Sequence, residues 1–180
     1  MPILAETIKR FLTPNKTFVE TGTLWGDGIQ AALDAGAERI WSIDENLQAV
    51  KKAQERFAGM PNVQLIHDNS VAALERLFQD TEARDQMGAP TIWLDAHGTR
   101  TSPILEELTV IRNADLPTPN ILIDDMRLMP WWGVEVGMLM DKIRSIYNLY
   151  HIDYVDGCGQ RPRDPGMYKK DIMVAYVERD

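Results

Sequence analysis

The chain has 180 residues, enough for one α/β domain and too few for two full ones. Its 44% hydrophobic and 26% charged residues are typical of a packed globular domain and argue against disorder. The formal net charge of −8 argues against a non-specific nucleic-acid binder and against binding to an anionic membrane surface, because both partners need a basic protein surface.

Cysteine usage and the N-terminal sequence predict a cytoplasmic location. The single Cys158 excludes an internal disulfide framework and a multi-cysteine metal site, and the nine methionines fit a reducing compartment. The segment Met1–Glu6 lacks the basic start and the long apolar core of a signal peptide. No apolar run approaches the roughly 20 residues of a transmembrane helix.

Short β-rich apolar runs alternate with amphipathic helical patterns from the first residues onward. The predicted strands are 17–20, 39–44, 63–66, 91–95 and 121–124. Repeated strand–helix units favour right-handed crossovers and a parallel, doubly wound α/β sheet of the Rossmann-like kind. Leu4, Ile8, Phe11 and Leu12 predict a leading helix within residues 1–14, packed on a single domain that spans residues 1–180.

The C-terminal part of the chain departs from this alternation. After a helical pattern through Val136, Met140 and Ile143, two strand-like runs follow at 150–155 and 171–177. One loop, residues 156–170, joins them. We therefore expect a seven-stranded sheet that is mostly parallel and has an antiparallel last strand.

A glycine-rich segment, Glu20–Gly28, follows the first predicted strand and opens a helix. Glycines allow a tight turn and a close approach of a ligand to the backbone, and the helix N-terminus offers free N–H groups. The spacing G-x-x-x-G-x-G differs from the G-x-G-x-x-G of dinucleotide binders. The alternative is a strand-to-helix turn that binds no ligand.

Polar residues also end the second and third predicted strands. Asp44 lies where an acidic side chain can accept hydrogen bonds from two ribose hydroxyls. An N-cap for the helix that follows is the alternative role of Asp44. His67–Ser70 follows the third strand, and its side chains would contact an adenine edge.

These segments, VETGTLWGDG, IWSID and VQLIHDNS, resemble the first three motifs of class I S-adenosylmethionine-dependent methyltransferases. The resemblance covers about residues 15–178. It implies S-adenosylmethionine as the cofactor, and it implies these cofactor-binding residues: Glu20, Gly22, Thr23, Gly26, Asp44, Asp68, Asn69 and Ser70.

Three aspartates close the fourth and fifth predicted strands: Asp95, Asp124 and Asp125. At neighbouring strand ends their charges would repel one another unless a cation or basic side chains intervene. A divalent ion such as Mg²⁺ would meet that need with carboxylate and water ligands. The arrangement resembles the metal-dependent O-methyltransferases of the catechol and caffeoyl-CoA type and of the macrocin type, and the resemblance implies that Asp95, Asp124 and Asp125 bind the metal. Capping and arginine pairing are the alternative.

The general base of the catechol type, a lysine shortly after the strand-four aspartate, has no match in this chain, where Gly98, Thr99 and Arg100 stand instead. His97 is the best substitute, because its pKa suits proton removal near neutrality. His97 and Asp95 are therefore the candidate catalytic residues. A hydrogen-bonded loop histidine is the alternative role of His97.

Arginines and tryptophans after the later strands are candidates for substrate binding. Arg100, Arg127, Arg161 and Arg163 would project toward one rim, where guanidinium groups recognise carboxylate or phosphate. Trp131 and Trp132 would supply a wall that stacks on an aromatic or sugar group, or else pack on the core or on the second subunit of a homodimer. We expect a small-molecule acceptor that is anionic or sugar-like.

The sequence thus predicts a small-molecule methyltransferase, with O-methylation assisted by a divalent metal. The alternatives are a metal-independent methyltransferase with His97 as base and a catalytically silent cofactor-binding module. The glycine spacing disfavours a nicotinamide oxidoreductase, and the lack of a G-x-S-x-G segment disfavours an α/β-hydrolase.

Overall fold

In the computed structural model of the chain, residues 2–158 and 167–178 are described. Seven strands form one sheet: β1 (Thr17–Thr21), β2 (Arg39–Asp44), β3 (Val63–His67), β4 (Thr91–Leu94), β5 (Asn120–Ile123), β6 (His151–Cys158) and β7 (Met167–Tyr176). The helices are α1 (Pro2–Phe11), α2 (Asp27–Asp34), α3 (Leu47–Arg56), α4 (Ser70–Gln79), α5 (Thr81–Met87), α6 (Ile104–Asn113) and α7 (Val136–Ile146). A 3₁₀ helix, Met126–Trp132, follows β5.

The order of strands across the sheet is β3-β2-β1-β4-β5-β7-β6. The first five strands pair in parallel, and β7 pairs antiparallel with both β5 and β6. This confirms the predicted mostly parallel sheet of seven strands with an antiparallel last strand. Because the strand order reverses between β1 and β4, a crevice opens beyond their carboxyl ends.

Helices cover both faces of the sheet. Alternate residues of β1 show the two sides: Phe18 packs in one apolar cluster and Val19 in the other. Buried apolar residues of α1 and α2, with Ala53 of α3, belong to the cluster of Phe18, and buried apolar residues of α4 to α7 belong to that of Val19. Within the described residues, no helix is long and apolar enough to cross a membrane.

The structure contradicts one of the two alternative roles of Asp44. Asp44 does not cap α3, because Asn46 is the N-cap and its Oδ1 accepts from the Gln48 and Ala49 N–H groups. The segment after β5 is a 3₁₀ helix that contains Pro130.

Candidate functional site

The glycine-rich segment forms a tight turn between β1 and α2. Gly22 has a φ of +91°, and a Cβ there would lie 2.6 Å from the carbonyl oxygen of Asp95. Gly26 also has a positive φ, and a Cβ there would meet the ring of Phe57 at 2.6 Å. The turn therefore requires glycine at both positions, whether or not a ligand binds to it.

A series of buried side-chain hydrogen bonds lies beneath the glycine turn. Thr23 Oγ1 and Ser42 Oγ are 2.6 Å apart, and Ser42 Oγ donates to Glu20 Oε1 at 2.6 Å. Burial raises the pKa of Glu20 to about 8, although the Ser42 hydroxyl works in the opposite direction. Glu20 is thus a neutral carboxylic acid at pH 7, enclosed behind the glycine turn.

Asp44 connects the glycine turn to the end of β2. Its Oδ2 accepts from the Leu24 N–H at 2.8 Å, and its Oδ1 accepts from the Asn46 N–H at 2.8 Å. Leu24 has a φ of +45°, which is uncommon for a residue other than glycine. Asp44 holds this conformation in place while its half-buried side chain still faces the crevice.

The crevice is a cavity of about 1060 Å³ that runs along the carboxyl ends of the central strands. Among the predicted cofactor residues, Gly22, Asp44, Asn69 and Ser70 line it. Glu20, Thr23 and Gly26 lie behind the turn, where the first two border a cavity of only about 20 Å³.

The polar side chains that follow β3 interact with the nearby helix α4. Asn69 Oδ1 caps α4 by accepting from the Val71 and Ala72 N–H groups. Asp68 forms an ion pair with Arg76 and is not among the described residues that line the cavity. Ser70 and Asn69 are therefore the residues of this segment that can contact a ligand.

The other end of the cavity holds the aspartates that follow β4 and β5. Ligand atoms that lie within 4.8 Å of one another form two overlapping groups: Asp95, His97 and Asp125, and Asp124, Asp125 and Asp171. The structure thus distributes the three predicted aspartates over both groups, and Asp125 belongs to both. Sequence reasoning missed Asp171, which lies in β7 and is 2% exposed.

Two basic side chains contact Asp125. His97 Nε2 lies 3.0 Å from Asp125 Oδ2, and Arg127 Nη1 donates to Asp125 Oδ1 at 2.5 Å. Burial works to raise the pKa of Asp125, but the His97 hydrogen bond and the Arg127 charge outweigh it and leave the pKa lowered. Arg127 also forms an ion pair with Asp171 and donates its backbone N–H to Asp171 Oδ1 at 2.9 Å.

The two remaining aspartates have raised pKa values. Burial raises the pKa of Asp95 well above its usual range, and the charges of Asp124 and Asp125 add to the effect. Burial likewise raises the pKa of Asp124 to about 7, together with the charge of Asp125. The described site therefore holds more carboxyl groups than its own cations neutralise.

His97 has partners on both ring nitrogens. Its Nε2 faces Asp125, and its Nδ1 lies 3.3 Å from the Gly98 carbonyl oxygen. The hydrogen bond to Asp125 raises the pKa of His97 despite partial burial. The ring also stacks against Trp132, with centroids 4.8 Å apart. These contacts favour the protonated imidazolium and hold the ring beside the cavity.

The predicted substrate residues lie in different places. Arg127 lines the cavity, whereas Arg100 is exposed and is not among the described residues that line it. Trp132 packs against the core and Trp131 is 84% exposed. Arg161 and Arg163 lie outside the described residues.

Glu107 is a second carboxyl group that sequence reasoning missed. It lies in α6, is fully buried, and neither of its oxygens has a hydrogen-bond partner within the described residues. Burial raises the pKa of Glu107 to about 7, and the nearby Ser70 and Thr21 hydroxyls, which lie outside hydrogen-bond geometry, oppose this effect only in part. No sequence pattern indicated that Glu107 is buried, because two adjacent glutamates, Glu106 and Glu107, are typical of an exposed helix face.

No family model and no curated protein matches the chain. Solved structures do match its fold. The methyltransferase domain of bacterial CtHen1 aligns with a TM-score of 0.63 at 10% identity, over 98% of this chain and 96% of that one. An O-methyltransferase from Bacillus cereus, in complex with SAH, aligns with a TM-score of 0.62 at 12% identity, over 97% and 79%.

A spermidine synthase in complex with the transition-state analogue AdoDATO aligns with a TM-score of 0.60 at 16% identity. It covers 96% of this chain and 57% of that one. The chain therefore has a Rossmann-like fold that is shared by methyltransferases, one of them an O-methyltransferase, and by a spermidine synthase.

Proposed function

We propose that the protein transfers a methyl group from S-adenosylmethionine to a small-molecule acceptor. One observation carries the proposal: the glycine turn with Asp44 and the group of Asp95, His97 and Asp125 open on the same cavity of about 1060 Å³. A site for the cofactor and a site for polar chemistry thereby adjoin, as methyl transfer requires. The fold shared with solved methyltransferases supports the proposal.

In this proposal Gly22 provides the close backbone approach and Asp44 accepts from ribose hydroxyls. Asp44 keeps lone pairs for such hydrogen bonds, because each of its oxygens accepts one backbone N–H. Asn69 and Ser70 border the same end of the cavity and would contact the adenine. Glu20, Thr23 and Gly26 would act indirectly, by holding the turn.

The proposal extends to assistance by a divalent cation. The site fits such an ion in donor chemistry and in charge. Carboxylate oxygens predominate in both candidate ligand groups, Asp124 lacks a basic partner among the described residues, and the His97 Nε2 lies 3.9 Å from Asp95 Oδ1. Asp125, which belongs to both groups, would hold the ion together with Asp95 or together with Asp124. Such an ion, when bound, lowers the pKa of an acceptor hydroxyl and favours O-methylation.

A metal-independent reaction with His97 as the base is the second candidate mechanism. The position of His97 beside the cavity favours it, but both ring nitrogens already have partners. The hydrogen bond to Asp125 also raises the pKa of His97 and so favours the form in which the ring nitrogen facing Asp125 already carries a proton. His97 would have to release this proton before it could accept one from the acceptor.

Calorimetry with S-adenosylhomocysteine tests the cofactor site directly. We expect S-adenosylhomocysteine to bind and NADH not to compete with it. Binding of NADH without binding of S-adenosylhomocysteine would refute the proposed function. A methyl-transfer assay with radiolabelled S-adenosylmethionine then separates an active enzyme from a catalytically silent module.

A further inference from the structure

The charged residues that line the large cavity are mostly acidic. Seven carboxyl side chains line it: Asp27, Asp44, Glu45, Asp95, Glu106, Asp124 and Asp125. The basic side chains among the described lining residues are His97 and Arg127. Seven acidic side chains thus face two basic ones in this lining, whereas the whole chain has 27 Asp and Glu against 19 Lys and Arg and 3 His.

Both basic side chains already have carboxylate partners. His97 lies against Asp125, and Arg127 lies between Asp125 and the buried Asp171, with its guanidinium 3.9 Å from the centre of the Tyr168 ring. An anionic ligand would have to break these pairs before it could bind to either cation. The described part of the cavity therefore offers an anion no free guanidinium group.

Several of the carboxylates have no basic partner. Arg56 pairs with Asp27, but no described lysine, arginine or histidine nitrogen lies within 4.0 Å of a side-chain oxygen of Asp44, Glu45 or Glu106. Asp44 accepts from backbone N–H groups only. Asp44 is assigned to the cofactor, whereas Glu45 and Glu106 remain uncompensated whether or not a divalent ion binds to the aspartates that follow β4 and β5.

We propose that the acceptor of this site is a cation, a small molecule that carries a protonated amine, and not an anion. The ammonium group is the part that the carboxylates attract, and a different atom of the same molecule, one that keeps a lone pair, accepts the methyl group. The inference rests on the proposed function and deepens it. The cofactor is itself positively charged and offsets part of the excess acid. Glu45 and Glu106 are exposed at the rim, where they would attract a cationic acceptor and repel an anionic one.

Three probes with the same five-carbon chain test the charge selectivity: terminal diaminopentane, terminal pentanediol and glutarate. Each is titrated calorimetrically into the protein at low ionic strength, with and without saturating S-adenosylhomocysteine. We expect diaminopentane to bind at least roughly tenfold more tightly than pentanediol, and glutarate not to bind. Added salt should weaken the diaminopentane complex, because exposed charges are screened.

Matched variants separate the charge of the cavity from that of the whole chain. Glu106→Gln removes one charge from the rim, and Glu75→Gln removes one charge from the exposed face of α4, outside the described lining of the cavity. Diaminopentane should bind more weakly, by roughly threefold to tenfold, to Glu106→Gln and unchanged to Glu75→Gln.

Three results would overturn the inference: glutarate binding as tightly as diaminopentane, no measurable binding of diaminopentane, or equal effects of the two variants. Failure of S-adenosylhomocysteine to bind is a different outcome. It refutes the proposed function, while the titrations without it still test the charge selectivity of the cavity.

Discussion

Asp171 binds Arg127 through both the backbone and the side chain of the arginine. Its Oδ1 accepts the Arg127 backbone N–H at 2.9 Å, and its Oδ2 pairs with the guanidinium group. Asp125, two residues before Arg127, has a φ of +56°, a left-handed conformation that is costly for a residue other than glycine. The pairing with Asp171 helps to hold this conformation, so the last strand of the sheet shapes the acceptor end of the cavity.

Asp171→Asn should lower the free energy of unfolding by roughly 1.5–3 kcal/mol, because it weakens hydrogen bonds to a charged group. Urea denaturation measures the loss. Asp115→Asn is the matched control, since the Asp115 side chain is 98% exposed beside Arg84 and its removal should leave stability unchanged. Equal stability of the two variants would contradict the role of Asp171.

Gly22→Ala and Gly36→Ala separate backbone strain from steric overlap. Both glycines have a φ above +90°, so alanine at either position costs roughly 1–2 kcal/mol. A Cβ at Gly36 meets nothing within 4 Å, whereas one at Gly22 lies 2.6 Å from the Asp95 carbonyl oxygen. Thermal denaturation should therefore show a larger loss for Gly22→Ala, and calorimetry should show weaker binding of S-adenosylhomocysteine to that variant alone.

Asp44→Ala should weaken the binding of S-adenosylhomocysteine by roughly 1.5–3 kcal/mol, through the lost ribose contact and the looser glycine turn. Asp80→Ala removes a comparable local bond, since Asp80 caps α5 by accepting from the Ala83 N–H at 3.1 Å. That control should lose stability and keep its affinity. Unchanged affinity in Asp44→Ala would exclude Asp44 from the cofactor site.

Glu20 should make stability depend on pH. The pKa of Glu20 is about 8 in the folded protein and roughly 4.3 in an unfolded chain, so the folded state binds more protons between these values. Stability should therefore fall as the pH rises from about 4.5 to about 8, by on the order of 4 kcal/mol from this group. Glu20→Gln stays neutral and should lack this contribution. Unfolding curves of both proteins across this range provide the comparison, and parallel pH profiles would show that Glu20 is ionised when folded.

Asp124→Asn should lower turnover far more than it lowers the affinity for S-adenosylhomocysteine, because Asp124 lies at the acceptor end. If a divalent ion assists, a chelator should abolish methyl transfer and Mg²⁺ should restore it. Asp34→Asn, on the exposed side of α2, is the control for loss of one charge. Full activity in excess chelator would leave His97 as the base, and His97→Ala would then be the most damaging change.

The strands and the aspartates at their ends could be predicted from the sequence, because buried parallel strands form short apolar runs and end in polar residues. Asp95 and Asp124 follow β4 and β5 as expected. Asp171 could not be placed, since its proximity depends on β7 inserting between β5 and β6, with Ile123 opposite Met173. Because β7 runs antiparallel to β5, the start of its apolar run lies beside the end of β5. No local sequence pattern predicts that β7 takes this place in the sheet.

The pairing of Arg127 with Asp171 could not be predicted from the sequence either. An arginine after a strand favours the rim of a sheet, but its partner Asp171 is 44 residues away in the chain. Helix α5 was missed because its seven residues include a single buried apolar residue, Met87, and so lack the amphipathic pattern of a longer helix.

The insertion of β7 between β5 and β6 also determines when the cavity can be completed during synthesis. The glycine turn, Asp44 and the first two strands come from the first 44 residues and can meet as soon as these leave the ribosome. The acceptor end needs Asp171, so Arg127 lacks this partner until β7 has been made. Until then β5 has a free edge toward which a strand from another nascent chain could pair. A chain that has not yet made β7 therefore lacks both the strand that covers this edge of β5 and the partner of Arg127.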